Sequence, residues 1–224
     1  MKKKLYTALE ILFTLVFCFS LYSLIRIGLD YKKGEDIYNV PQKEFVKENT
    51  QKDIPEKYAK YLDVYVDVPE IKKSHENVIG WIYVKDTGIN YPLVAADGSN
   101  DYYLSHTFDG KESRFGAIFI DWSCAPDLSD INTVIHGHNT KDGSMFGTLR
   151  KFRDQDFYNA HPYVFIFLED HINVYEVYKQ KTTKVASELY FVGKDEQTRI
   201  TLSTCTSRDK SNRYVVIARL VDQI

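Results

Sequence analysis

Hydrophobic positions change their spacing twice along the chain. Residues 5–29 are almost uniformly apolar, broken only by Glu10 and Arg26, and Lys2, Lys3 and Lys4 precede them. With its flanks this run reaches the roughly 20 residues that a membrane-spanning helix needs. Residues 31–68 are polar, rich in Lys, Glu, Asp and Asn, and Pro41 and Pro55 interrupt their helical pattern, leaving short helical pieces such as 57–62. Pro69 then opens a helix through Lys73 to His75. From residue 78 onward the dominant period is that of β-strands. The pattern predicts strands at 78–84, 89–95, 116–120, 132–136, 163–168 and 172–178, then a final hairpin of 201–205 and 213–221. Residues 146–158 alone carry helical spacing, at Phe146, Leu149, Phe152 and Phe157.

Eight strands with turn signals between them and few helices predict a mainly β fold, a closed or nearly closed barrel behind an N-terminal transmembrane helix. The expected segments are 1–30, a cytoplasmic tail and anchor; 31–68, a polar stalk; and 69–224, the barrel domain.

Composition sharpens this picture. The 17 Tyr and 13 Phe favour strands, and a net charge of −2 gives no reason to expect a nucleic-acid partner. The lysines ahead of the apolar run predict a cytoplasmic N-terminus, with the bulk of the chain outside the cell membrane. Ser23-Leu24-Ile25-Arg26 is no small-x-small cleavage site, so an uncleaved anchor is expected rather than a removed leader. Of three cysteines, Cys18 lies inside the apolar run; Cys124 and Cys205 are too few for a disulfide framework, although they could pair with each other.

The candidate chemistry gathers at the last hairpin. Leu202 alternates with polar neighbours, which predicts a strand with one buried face and Cys205 at its end; Arg213 begins the return strand. A nucleophilic cysteine acts as its thiolate, whereas a thiol ordinarily ionises near pH 8.5, so it needs a nearby cation. A guanidinium supplies that charge and donors for an oxyanion. The bland alternatives are a small buried thiol and a strand-end surface charge. Among six histidines, His138 in Gly137-His138-Asn139 is the best acid–base candidate, because it follows a strand directly where a side chain can turn into a cleft. His136, two residues earlier, shares its face on an extended strand, so the two imidazoles with a thiolate offer a rival zinc site. Cys124, among Asp121, Ser123 and Pro126, reads as an inert thiol in a turn.

The residues 201–205, Thr-Leu-Ser-Thr-Cys, resemble the T-L-x-T-C signature of sortases, membrane-anchored transpeptidases of Gram-positive bacteria; Gly137-His138-Asn139 resembles their histidine motif, and Arg213 stands where their arginine does. The stretches 77–82, 89–94, 100–104, 116–121 and 142–147 are similar to class B. The resemblance implies an eight-stranded sortase barrel with His138, Cys205 and Arg213 as the catalytic residues. It places Asn100, Leu104, Ser203, Thr204 and Thr206 along the peptide groove, and requires no cofactor and no metal. It implies cleavage of an Asn-Pro-x-Thr-x or related Pro-x-Thr-x sorting signal after Thr, through a Cys205 thioester, and transfer of the surface protein to a peptidoglycan-precursor amine. The chain departs from the pattern at His136, where tyrosine is usual, and in the segment between Tyr178 and Thr201, which is short for class B. The alternatives are a zinc-dependent hydrolase using His136 and His138, and a non-enzymatic surface β-barrel.

Overall fold

The computed structural model describes residues 2–50, 54–185, 197–206 and 211–224. Two compact units make up the chain, Met1–Val40 and Pro41–Ile224. The first unit is helical. Its apolar stretch Lys3–Leu29, 27 residues with a mean hydropathy of 2.1, is long and apolar enough to cross a membrane. The helix, α1 (Lys2–Phe45), does not stop near residue 30 as expected. Lys and Glu are good helix formers, so the polar residues prolong it, and Pro41 is tolerated inside its last turns.

In the second unit, residues 41–68 differ from the expected stalk. The Gln42 amide donates to the Asn90 carbonyl at 2.5 Å. A two-stranded sheet pairs β1 (Val46–Glu48) with β2 (Val64–Val66), and between them lies the single turn α2 (Glu56–Ala59). Tyr58 on α2 is 1% exposed; its ring meets Tyr163 edge-on, and its hydroxyl donates to Asp222 at 3.1 Å. These residues form part of the barrel's outer layer. The next helix, α3 (Val68–Ser74), is capped by the Asp67 carboxylate accepting from the Glu70 N–H, with Pro69 in its first turn as anticipated.

All eight expected barrel strands are present: β3 (Val78–Val84), β4 (Ile89–Ala95), β5 (Ile118–Ile120), β6 (Asn132–His136), β7 (Tyr163–Phe167), β8 (Ile172–Lys184), β9 (Arg199–Cys205) and β10 (Asn212–Gln223). They close in the order β10-β8-β7-β3-β4-β5-β6-β9. Six pairings are antiparallel; β4/β5 and β6/β9 are parallel. Parallel neighbours need crossover connections. The first crossover carries the short helix α4 (Asp101–Ser105); the second begins at Gly137. Closure removes the sheet edges and buries Trp81, Phe119, Phe165, Tyr175, Leu202 and Tyr214 almost completely.

Two expectations are corrected here. The helix predicted over 146–158 is two pieces, a 3₁₀ turn at Gly147–Arg153 and α5 (Gln155–Ala160). Asp154 is extended and its carboxylate accepts from the Phe157 N–H, so an N-cap inside the periodic stretch starts a new helix. Strand β8 runs six residues beyond Tyr178, because β10 pairs along it as far as Asn212↔Lys184. The rest of the short segment before Thr201, residues 186–196, lies outside the described residues.

Candidate active site

Strand register alone brings the three candidate residues to one rim. In the parallel pair β6/β9, His136 lies opposite Ser203, so both strands reach the same end together, with His138 and Cys205 each two residues further on. In the antiparallel pair β9/β10, Arg213 is the direct partner of Cys205. Direct partners share a face, with Cβ atoms about 4.5–5.5 Å apart. Cys205 and Cys124 are half-buried and free, so the considered Cys124–Cys205 bond is absent; Cys18 is exposed and free.

The segment after β6 is laced to β9. Gly137 N–H donates to the Ser203 carbonyl at 3.2 Å, the Thr204 hydroxyl to the Gly137 carbonyl at 2.7 Å, and the Asn139 side-chain amide to the Cys205 carbonyl at 2.6 Å. Gly137 must be glycine: a Cβ there would lie 2.5 Å from Ile118 and 2.7 Å from the Phe146 ring. The His138 Nε2 lies 2.7 Å from the Leu104 carbonyl oxygen of α4. A carbonyl only accepts, so Nε2 carries the proton and Nδ1 is the basic nitrogen of the neutral ring.

Gly116 holds that contact in place. Its φ is +58°, and a Cβ would lie 2.4 Å from the Tyr103 oxygen, 3.1 Å from the Leu104 oxygen and 3.0 Å from His138 Cδ2. Backbone oxygens cannot swing aside as a flexible side chain can. Gly116→Ala is therefore expected to lower stability by about 1–3 kcal/mol and to push His138 off the Leu104 carbonyl. Thermal unfolding checks the first effect, and Cys205 reactivity in the folded fraction checks the second.

The groove candidates sit in different settings. Leu104 is 43% exposed. Asn100 is engaged within the protein: its Nδ2 donates to Asp121 at 2.7 Å and its Oδ1 accepts from the Trp122 N–H at 3.0 Å. The expected one-sided burial of β9 is not what the structure shows, since Thr201, Ser203 and Thr204 are at most 2% exposed. Both faces of the strand are covered, and polar residues survive there because Thr201 donates to Asn132 and Thr204 to Gly137. Ser203 Oγ and Asn139 Oδ1 are buried polar atoms that find no partner among the described residues. Thr206 precedes the hairpin tip, residues 207–210, which lies outside the described residues; its N–H donates to the Asn212 carbonyl at 3.3 Å.

His136 pairs with a carboxylate. Its Nε2 lies 2.8 Å from Asp121 Oδ2, and no group of three potential metal ligands occurs among the described residues. The Cys124 sulfur accepts from the Val134 N–H at 3.5 Å, and burial pushes its pKa up. Asp121 itself is 3% exposed. Burial pushes its pKa up, but hydrogen bonds from His136, Ser123 and Asn100 outweigh burial and hold the carboxyl well below its usual range. Sequence reasoning took Asp121 for turn chemistry; its partner stands 15 residues on, and only the β5/β6 pairing joins them.

A depressed folded-state pKa stabilises the protein above the unfolded carboxylate pKa, about 3.9, and that contribution is lost as pH falls through the folded value. Asp121→Asn is thus expected to cost about 2–4 kcal/mol at neutral pH, with the difference from the parent shrinking below about pH 4. Thermal melts across pH 2–7 test this.

Comparison with known proteins agrees with this architecture. The profile of the sortase domain matches residues 82–221. Sortase B of Listeria monocytogenes is 37% identical over 130 residues, 58% of this chain and 52% of that protein. Sortase B of Staphylococcus aureus is 24% identical over 159 residues, 71% of this chain and 62% of that protein. The matches thus span between about half and two thirds of these relatives' length. A crystal structure of sortase B from Bacillus anthracis superposes with a TM-score of 0.66 at 26% identity, covering 87% of this chain and 99% of that one. A barrel of this strand order, matched by that profile over most of its length, means that the chain belongs to the sortase family.

Proposed function

We propose that this protein is a membrane-anchored cysteine transpeptidase. It would cleave a C-terminal sorting signal of Asn-Pro-x-Thr-x or Pro-x-Thr-x type after Thr and join the surface protein to a peptidoglycan-precursor amine. The observation that carries the reading is the cross-strand pairing of Cys205 with Arg213 at the rim where the His138 segment is tied to the Cys205 carbonyl.

In the first half-reaction the Cys205 thiolate attacks the threonine carbonyl carbon. The carbonyl electrons move onto oxygen, where the Arg213 guanidinium and backbone amides hold the negative charge. The C–N bond then breaks, and its electron pair leaves with the nitrogen, which takes a proton from the His138 imidazolium. In the second half-reaction an acceptor amine attacks the thioester, gives its proton to His138 and expels the thiolate. With Nε2 donating to the Leu104 carbonyl, Nδ1 is the nitrogen that exchanges this proton. The exposed Leu104 side chain suits an apolar signal residue. Lys3–Leu29 would hold the enzyme at the cell membrane with its barrel outside, facing exported substrates.

The test incubates the full-length protein in detergent with a library of sorting-signal peptides and a small amine. Mass spectrometry is expected to find a peptide adduct on Cys205, cleaved after threonine, that the amine discharges. A reduced, folded protein that forms no adduct with any such peptide would overturn the reading. Arg213→Lys keeps the charge but loses the planar fork; it should lower kcat/KM by about 10²–10³-fold while the fold persists, as steady-state kinetics and circular dichroism would show.

A further inference from the structure

We propose that Asp121 is a positioning residue for the active-site histidine, acting through Asn100 and α4. The inference rests on the transpeptidase reading and names a device within that same site.

A run of contacts from Ser123 to His138 makes the argument. The Asp121 carboxylate is fixed inside the protein by Ser123, whose N–H and hydroxyl donate to Oδ1 at 3.0 and 2.6 Å. Its other oxygen, Oδ2, takes His136 Nε2 at 2.8 Å and Asn100 Nδ2 at 2.7 Å. Asn100, returning its own oxygen to the Trp122 N–H at 3.0 Å, is clamped at both ends of its amide. It is the residue immediately before α4, and its side chain caps no N–H of that helix. Four residues on, the Leu104 carbonyl receives the His138 Nε2–H. A helix this short has little intrinsic stability, so the position of its carbonyls depends on what grips its ends. The far end is held by the Ala117 N–H on the Tyr103 carbonyl at 2.9 Å and the Ser113 N–H on the Ser105 carbonyl at 2.8 Å. The near end is held through Asn100 and by the Asp101 N–H on Ser99 Oγ at 3.1 Å.

The direction of each hydrogen bond favours a carboxylate over any neutral acceptor at 121. Two donors converge on Oδ2 and two more on Oδ1, so all four want an acceptor; an asparagine would turn its own N–H₂ toward one of these pairs. The network thus converts an ionised carboxyl into a fixed tautomer of the His138 ring, without touching the substrate. Misplacing an acid–base group by about an ångström is enough to cost roughly 10²-fold in rate.

The test follows His138 directly. In the full-length protein, selectively ¹⁵N-labelled at histidine and held in detergent micelles, the neutral His138 ring is expected to show a single Nε2–H tautomer, assigned by the loss of its signals in His138→Gln. Asp121→Asn and Asn100→Ala should each give an averaged tautomer and lower kcat about 10- to 100-fold; in Asp121→Asn, whose carboxylate is buried away from the peptide, KM should change less than about twofold. Asn100→Ala spares the Asp121–His136 contact, so it decides the matter if Asp121→Asn fails to fold. Variants that melt earlier but keep both the single tautomer and kcat would overturn the proposal, leaving Asp121 a purely structural residue. The tautomer is read without substrate, so a failed transpeptidase reading would leave this measurement standing.

Discussion

Cys205→Ala is expected to abolish the peptide adduct and to lower turnover by at least about 10⁴-fold. A thioester needs a sulfur, and Cys205 is the cysteine that strand register sets beside Arg213, whereas a serine or threonine hydroxyl would give an oxygen ester. Cys205 is half-buried at the end of β9, so losing one sulfur leaves little cavity, and the variant should melt within a few degrees of the parent. Alkylation followed by peptide mapping, beside steady-state kinetics, checks both parts. Cys124→Ser is the matched control. Its sulfur faces the Val134 N–H, and burial keeps it from ionising, so adduct formation should persist. Loss of the adduct in Cys124→Ser together with its survival in Cys205→Ala would assign the nucleophile to the wrong cysteine.

His138→Ala should reduce kcat by about 10²–10⁴-fold, because both half-reactions pass a proton through the same ring. The loss should be larger with ordinary amines than with hydroxylamine, which is mostly unprotonated at neutral pH and needs less help from a base. Rapid-quench measurement of the adduct separates the two steps. An adduct forming at the parent rate but failing to discharge would confine His138 to the second step. Both steps running at the parent rate would remove it from the proton path altogether.

The barrel was legible in the sequence because its strands alternate at period two and carry β-branched and aromatic residues, from 78–84 to 213–221. Cys205 and Arg213 were legible as a pair because a short loop between two such runs returns the chain antiparallel. His138 stood out only through its glycine and its place after a strand. The failures have physical causes. The β9 alternation looked one-sided, but closing the barrel covers both faces and satisfies its threonines from Asn132 of β6 and from Gly137 just after it. The aromatic period over 146–158 concealed the cap at Asp154, because a side chain's choice of an N–H three residues on leaves no mark in hydrophobicity. The Asp121–His136–Asn100 cluster was invisible because it spans three elements and two connections. The apolar run at 5–29 was plain, but the polar composition and Pro41 read as a break and hid the helix-forming Lys and Glu that carry the helix on to Phe45.

The parallel β6/β9 pair also dictates an order of events. Strand β6 is complete by His136, yet one of its two neighbours is not present until residue 199. In a chain that emerges from its N-terminus, β6 would wait with an open edge while more than sixty residues follow, a slow and association-prone stage. Cys205 and Arg213 arrive together in the last hairpin, whose pairing with β6 and β8 seals the barrel. An unfinished chain would therefore hold a histidine with no nucleophile and no oxyanion partner. Chemical competence would switch on with the final closure, and the reactivity of one thiol would serve as a clock for the completion of folding.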